Sequence, residues 1–328
     1  MLYPLTFQPI FKERVWGGRK LAGLYGKALP EGRTIGEAWE ITDRPEGVSV
    51  IANGPLAGRD LRWLMERHGA EVLGRPVAAG ERFPWLVKLL DASDDLSLQV
   101  HPPAHKAAQL GGEPKTEMWF IADAEPGAKI YTGLKRGVTR ADFERKTREG
   151  TVADCFHVHH VTRGDTMFLP SGRVHALGGG SIIFEIQQNS DTTYRVFDWN
   201  RVGLDGKPRE LHLEQSFAAI DFFDCEPPLV ATRFVPGAAG ETARPVVRHD
   251  LFSIDHVKVA ATAPTEGGWA AGLTVIGVVT GALEVTGNGV SVRVGAGGFV
   301  LLPAVLGPVR HRSEGPVEYL RVTTAAGG

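Results

Sequence analysis

Cysteine is nearly absent: Cys155 and Cys225 are the only two in 328 residues. Two thiols cannot supply a disulfide framework or a multi-thiolate zinc site, and both are read as inert buried groups. An excess of positive charge is missing as well. Lysine and arginine number 36 against 38 aspartates and glutamates, a formal net charge of −2. No overall field therefore draws nucleic acid or an anionic membrane, and any phosphate binding has to be local. No apolar run approaches the length that spans a bilayer. The start, Met1-Leu-Tyr-Pro-Leu-Thr-Phe, lacks the basic residues, apolar stretch and cleavage site of a secretion signal, so a cytoplasmic location is expected. Neither Gly-x4-Gly-Lys-Ser/Thr nor a strand-linked Gly-x-Gly-x2-Gly occurs, which removes the common nucleotide sites.

What the chain does have is punctuation. Its 41 glycines and 21 prolines are scattered among short apolar or alternating runs, the pattern of a mainly β architecture. Strands are predicted over Pro84–Leu90, Leu96–Val100, Glu117–Ala122, Ala128–Tyr131, Phe156–Val161, Thr166–Leu169 and Ser181–Gln187. Further strands are predicted over Gly272–Val279, Ala282–Val285, Val290–Val294, Phe299–Leu302 and Val317–Val322. Helical patterns are few: Asp60–His68 after an Asp cap, Pro103–Leu110, and Thr139–Glu149 after a Thr cap. The length and 43% hydrophobic content suit two domains. A Pro/Gly/Ala-rich stretch, Phe234–Pro245, reads as their connection, giving a first domain at 1–235 with helical decorations and a second, all-β domain at 245–328.

A weak repeat relates the two halves. Gly164-Asp-Thr-Met-Phe-Leu-Pro170-Ser-Gly172-Arg-Val-His175 and Gly297-Gly-Phe-Val-Leu-Leu-Pro303 share a glycine, five residues and a proline, as in the turn, strand and turn of cupin barrels. The fold class expected is therefore all-β, two cupin-like jelly-roll barrels with a few peripheral helices. In the second copy Pro308 stands where the first has His175, so the C-terminal barrel is expected to be degenerate and without metal ligands.

The chemistry concentrates in the first half. In Ser97-Leu-Gln99-Val-His101-Pro-Pro, alternation puts Ser97, Gln99 and His101 on one strand face. Glu117 opens another strand in Pro114-Lys-Thr-Glu-Met-Trp-Phe, and His175 ends the glycine-led unit. Two imidazoles, a carboxylate and an amide oxygen suit Zn²⁺ or another divalent ion. A rival run, Phe156-His157-Val-His159-His160-Val, places His157 and His159 on one face but has no carboxylate near it in sequence, and is not assigned to a metal.

Four segments, Ser-Leu-Gln-Val-His-Pro, Pro-Lys-Thr-Glu-Met-Trp, Pro-Ser-Gly-Arg-Val-His-Ala and Gln188-Asn-Ser-Asp191-Thr-Thr-Tyr-Arg195-Val-Phe-Asp-Trp, together resemble type I mannose-6-phosphate isomerases, particularly the short bacterial class. The likeness extends from Phe7-Gln-Pro-Ile-Phe-Lys and Val15-Trp-Gly-Gly to Phe217. It implies one Zn²⁺ per chain, held by Gln99, His101, Glu117 and His175, with a small-molecule sugar phosphate as partner. It also implies active-site roles for Arg195, Asp191 and Lys115, and a substrate-phosphate contact at Ser97 and Lys88. Read alone, Lys88 in Pro84-Trp-Leu-Val-Lys-Leu-Leu is a snorkelling strand lysine, and Trp16-Gly-Gly is a packed turn. The long-form family has His before the lysine where this chain has Pro114, and a helical insertion for which there is no room.

The implied reaction moves a proton between C2 and C1 of mannose 6-phosphate and fructose 6-phosphate through an enediolate. Its oxygen charge needs a cation and fixed donors such as Arg195. The proton carrier stays open among Lys115, Asp191 and a hydroxide on the metal. Two other readings remain beside it: a non-catalytic cupin that binds a sugar phosphate, and another metal-dependent cupin enzyme, whose two-His, one-carboxylate face His101, His175 and Glu117 would supply.

Overall fold

The computed structural model describes residues 1–237, 240–260, 265–269, 272–307 and 309–324, with backbone alone at 265–267. The chain is mainly β, and it forms two compact units. One comprises Phe11–Trp39 and Leu86–Val230, the other Met1–Ile10, Glu40–Trp85 and Ala231–Gly328.

In the first unit, a six-stranded sheet runs in the order Ile10–Gly18, Ile35–Ile41, Trp85–Ala92, Ser181–Gln188, Glu117–Ala124, Thr166–Leu169. A five-stranded sheet runs Tyr194–Phe197, Leu98–Val100, His175–Leu177, Lys129–Leu134, Phe156–His160. Trp119, Ile121 and Ile183 of the larger sheet share one apolar cluster with Ile130 and Leu177 of the smaller, so the two sheets pack face to face. Every residue of the central strand Trp85–Ala92 is buried. Its sequence is accordingly a nearly continuous apolar run rather than an alternating one.

The helix Arg140–Glu149 starts at Thr139, whose hydroxyl accepts from Asp142 N while Asp142 returns the bond in a capping box. It stops at Gly150, at φ 73°. Its one buried residue, Phe143, enters a second cluster with Leu98, Val100, Phe156 and Tyr194. Phe143→Ala would leave a cavity costing about 3–5 kcal/mol.

In the second unit, the six-stranded sheet runs Val235–Pro236, Glu241–His249, Phe252–Val259, Val317–Thr323, Thr274–Thr280, Phe299–Leu302, and the four-stranded sheet runs Thr265–Trp269, Val309–Ser313, Ala282–Gly287, Val290–Gly295. Met1–Ile10 and Glu40–Trp85, expected within a domain at 1–235, group here because their polar atoms pair here. Leu5 exchanges backbone bonds with Leu301, Asn288 donates to the Leu2 carbonyl at 2.8 Å, and the Trp85 indole donates to the Leu251 carbonyl at 3.0 Å.

The connection expected over Phe234–Pro245 needs correction. Val235–Pro236 pairs with Thr242–Ala243, and Glu241–Pro245 is already strand, opposite Val259 to Asp255. Pro245 misled the reading because it sits where the register shifts before Val247, a bulge that tolerates a residue without N–H. The helix expected over Asp60–His68 runs Leu61–Leu73, with an internal break at His68 (φ −135°, ψ 17°).

The repeat has a backbone counterpart. Gly164 and Gly297 both take left-handed φ, 94° and 73°, ahead of the four-residue strands Thr166–Leu169 and Phe299–Leu302. That conformation suits glycine and accounts for its place in both copies. Pro308, the position matched to His175, lies outside the described residues.

Candidate metal centre and substrate cavity

Leu98 and Val100 are fully buried in an apolar cluster, so the intervening Gln99 points to the opposite face. There Gln99 lies across from His175 on one neighbouring strand and from Arg195 on the other. His101 follows one residue after the strand. The larger sheet contributes Glu117, at the first position of its strand and opposite Gln187 and Leu169.

His101, Glu117 and His175 converge, their donor atoms all within 4.8 Å of one another, and none is more than 1% exposed. His101 Nε2 lies 3.5 Å from one Glu117 oxygen and His175 Nε2 lies 3.3 Å from the other. The far nitrogens are tethered: Nδ1–H of His101 donates to the Thr192 carbonyl at 2.8 Å, and Nδ1–H of His175 to the Arg173 carbonyl at 2.9 Å. Those bonds fix the tautomer and aim both Nε2 lone pairs inward.

Neither Glu117 oxygen has a hydrogen-bond partner among the described residues, which is rare for a buried carboxylate. Lys115 Nζ stands 2.8 Å from Glu117 Oε2 and 3.3 Å from His101 Nε2, supplying positive charge without an aligned hydrogen bond to the acid. Burial, followed by the Lys115 charge, pushes His101 down to about 3, and burial likewise lowers His175. Both imidazoles are therefore neutral, the state that ligates metals. Burial alone would raise Glu117, but the Lys115 ammonium together with the neighbouring His101 and His175 outweighs it and holds the acid well below its ordinary value.

Two inward lone pairs and a buried carboxylate between them fit a divalent cation. The Gln99 amide nitrogen lies 3.2 Å from His175 Nε2, and a half-turn of that amide would offer its oxygen to the same set.

Gln99 and Lys115 also line a cavity of about 560 Å³. In its lining Arg195 Nε donates to Ser97 Oγ at 3.3 Å and Nη1 to the Glu210 carbonyl at 2.7 Å. Arg195 has no carboxylate within 4 Å among the described residues, and burial and then the Arg209 charge push its guanidinium down.

Lys88 lines another wall, 3% exposed, with Glu185 at 3.3 Å, Glu37 at 3.6 Å and Asp191 at 3.8 Å. Burial opposes its charge, but Glu37, Glu185 and Asp191 outweigh burial and keep it protonated. Ser97, Lys88, Lys115, Asp191, Arg195 and Gln99 thus meet around one cavity, next to the trio.

Glu37 and Glu185 line the same cavity and were missed from sequence, and Trp16, expected in a packed turn, lines it as well. Glu37, Lys88 and Glu185 sit on three adjacent strands. Each is a charged residue inside a run of buried positions, and that is the signal that could have found them. Burial, then the Glu117 charge, raises the Glu185 carboxyl. Elsewhere, His159 Nε2 donates to the Pro227 carbonyl at 2.8 Å while its ring meets His157 edge-on. Cys155 is buried as expected, but Cys225 is partly exposed. No helix among the described residues is long and apolar enough to cross a membrane.

Residues 5–118 match the family described as phosphomannose isomerase type I, catalytic domain. A Bacillus subtilis protein, probable mannose-6-phosphate isomerase GmuF, is 36% identical over 98% of this chain and 99% of its own length. The chain belongs to the type I phosphomannose isomerase family. Within this family, the crystal structure of the mannose 6-phosphate isomerase from Bacillus subtilis superposes with a TM-score of 0.88 at 30% identity, over 98% of this chain and 99% of that one. A mannose 6-phosphate isomerase bound with zinc and yttrium shares the fold at a TM-score of 0.74 and 18% identity, over 98% and 99% of the two chains.

Proposed function

We propose that this chain interconverts mannose 6-phosphate and fructose 6-phosphate, with one Zn²⁺ held by His101, Glu117, His175 and Gln99. The observation that carries the reading is Glu117: a fully buried carboxylate without hydrogen-bond partners among the described residues, faced by two tethered imidazole lone pairs. Zinc is the choice because two imidazoles, one carboxylate and one amide oxygen leave room for a substrate oxygen. A family relative carries zinc in its solved structure. When bound, the ion supplies Lewis-acid stabilisation to the oxygen charge of an enediolate.

The chain's own residues do the remainder. Arg195, across from Gln99 and without a carboxylate partner, points fixed donors at that developing charge. Ser97, beside it, contacts the substrate phosphate. Lys88 was the second candidate for the phosphate, but three carboxylates already surround it. Proton transfer between C2 and C1 falls to Lys115, Asp191 or Glu185. Of these Glu185 is the carboxyl that burial lifts toward the working range of a general base.

The test is metal analysis of the purified protein together with a coupled assay on mannose 6-phosphate, before chelation, after it, and after adding zinc back. Activity that vanishes and returns with stoichiometric zinc is the expected result. Turnover indifferent to metal removal would overturn the reading.

A further inference from the structure

Lys88 lies on the central strand of the six-stranded sheet, between the strands that carry Glu37 and Glu185. Its ammonium has three N–H bonds and three carboxylates within 4 Å: Glu185, Glu37 and Asp191. The Trp39 ring covers it further, at 5.4 Å to the centroid. The charge of this ammonium is therefore already countered by the chain before any phosphate approaches.

The carboxylates are themselves held from behind. Glu37 accepts from Arg14 Nε at 2.8 Å and from the Trp39 indole at 2.6 Å. Glu185 accepts from the Trp119 indole at 2.9 Å through Oε1, while Oε2 faces Lys88. The Trp119 ring also meets His175 edge-on, at 5.3 Å, so one ring separates Glu185 from the candidate metal donors. Asp191 has less support. Its side chain is 34% exposed, and Lys88 is the one cation within 4 Å of it among the described residues.

Three acids against the charges of Lys88 and Arg14 leave this wall one unit negative, and such a wall repels a phosphate dianion. The part of the lining where Arg195 touches Ser97, with no carboxylate within 4 Å of Arg195 among the described residues, has the charge that attracts one. From this placement we infer that Lys88 is a positioning residue, an internal counter-ion that fixes Glu185 and Asp191 against the reacting carbons, and not an anchor for the substrate phosphate. The inference rests on the isomerase reading above.

The zinc-loaded enzyme and its Lys88→Met and Lys88→Arg variants distinguish the two roles, by kcat, KM for mannose 6-phosphate, Ki for inorganic phosphate and zinc content. Lys88→Met is expected to lower kcat by about tenfold or more, with KM and the phosphate Ki within about threefold of the parent. Lys88→Arg should recover part of kcat, because it restores the charge in a different shape. Should Lys88→Met fail to fold, Glu37→Gln combined with Lys88→Met removes one charge of each sign and is read in the same way.

A phosphate Ki and KM raised about tenfold with kcat intact would make Lys88 the phosphate anchor and overturn the inference. Unchanged kinetics in every variant would do the same. A parent enzyme that does not turn over mannose 6-phosphate would instead sink the isomerase reading itself.

Discussion

Both units bury histidine beside glutamate, yet they use the pair in opposite ways. In the C-terminal unit, Arg244 Nε donates to His256 Nδ1 at 3.1 Å, and His256 Nε2 donates to Glu318 at 2.6 Å. His311 lies 3.4 Å from Glu241, which also accepts from Tyr319 at 2.7 Å, and its ring stacks on Trp269 at 4.2 Å. His256 there is bonded through both ring nitrogens to groups of the chain, so this His–Glu pair is closed. Around His101, Glu117 and His175 both imidazoles spend their N–H on backbone carbonyls and turn their Nε2 lone pairs toward the carboxylate, with Lys115 Nζ and the Gln99 amide nitrogen as the donors beside those lone pairs, a set that a divalent cation can join. Burial of a His–Glu pair therefore does not mark a site. The direction of the lone pairs does.

The largest test of that contrast is Glu117→Ala, which should abolish zinc binding and lower isomerase turnover at least ~10³-fold. Elemental analysis beside the coupled assay checks both, and retained zinc would erase the distinction between the units. Arg195→Ala sharpens it, because it should lower kcat/KM by about 10²–10³-fold while leaving zinc content alone. A parallel fall in both would make Arg195 structural.

Acid sensitivity should separate the units next. In the first unit, burial opposes the Glu37 charge, but Lys88 and Arg14 outweigh burial and bring its carboxyl down to about 2. A depressed acid gives stability that is full above its unfolded value near 4.5 and lost as pH falls through about 2, on the order of 3 kcal/mol in all. Urea unfolding of the parent and of Glu37→Gln across that interval should show the parent losing more. In the second unit, burial lowers His256 from 6.5. Its contribution is therefore full above 6.5 and declines below that, earlier than that of Glu37. The smallest effect expected is His256→Gln, about 1–2 kcal/mol of stability from the broken bonds, with kcat and zinc content unchanged. Lost zinc would show that the C-terminal network is not self-contained.

Much of the site was legible because strand geometry carries over from sequence. The period of two put Gln99 on the face opposite Leu98 and Val100, and the turn glycine Gly164 flagged the unit that ends in His175. What was not legible depended on lateral neighbours. Glu37 and Glu185 look like ordinary strand acids until the sheet order sets Lys88 between them, and no local pattern encodes that order. Lys88 itself, read alone as a snorkelling strand lysine, was assigned to the phosphate through the family resemblance. The chain supplies the anions from adjacent strands instead. The segment around Pro245 failed for the reverse reason, since composition suggested a tether where pairing with Phe252–Val259 makes a strand.

The short stretch around Asp191 and Thr192 has a part in both halves of the chemistry. The Thr192 carbonyl steers the His101 ring, and Asp191 leans on Lys88. Ser190 and Thr192 also anchor the stretch to the main chain of Glu113, two positions before Lys115. Ligand geometry and acid placement are thus mechanically joined through three consecutive residues, and a change that loosened this strap would degrade cation affinity and proton transfer in step.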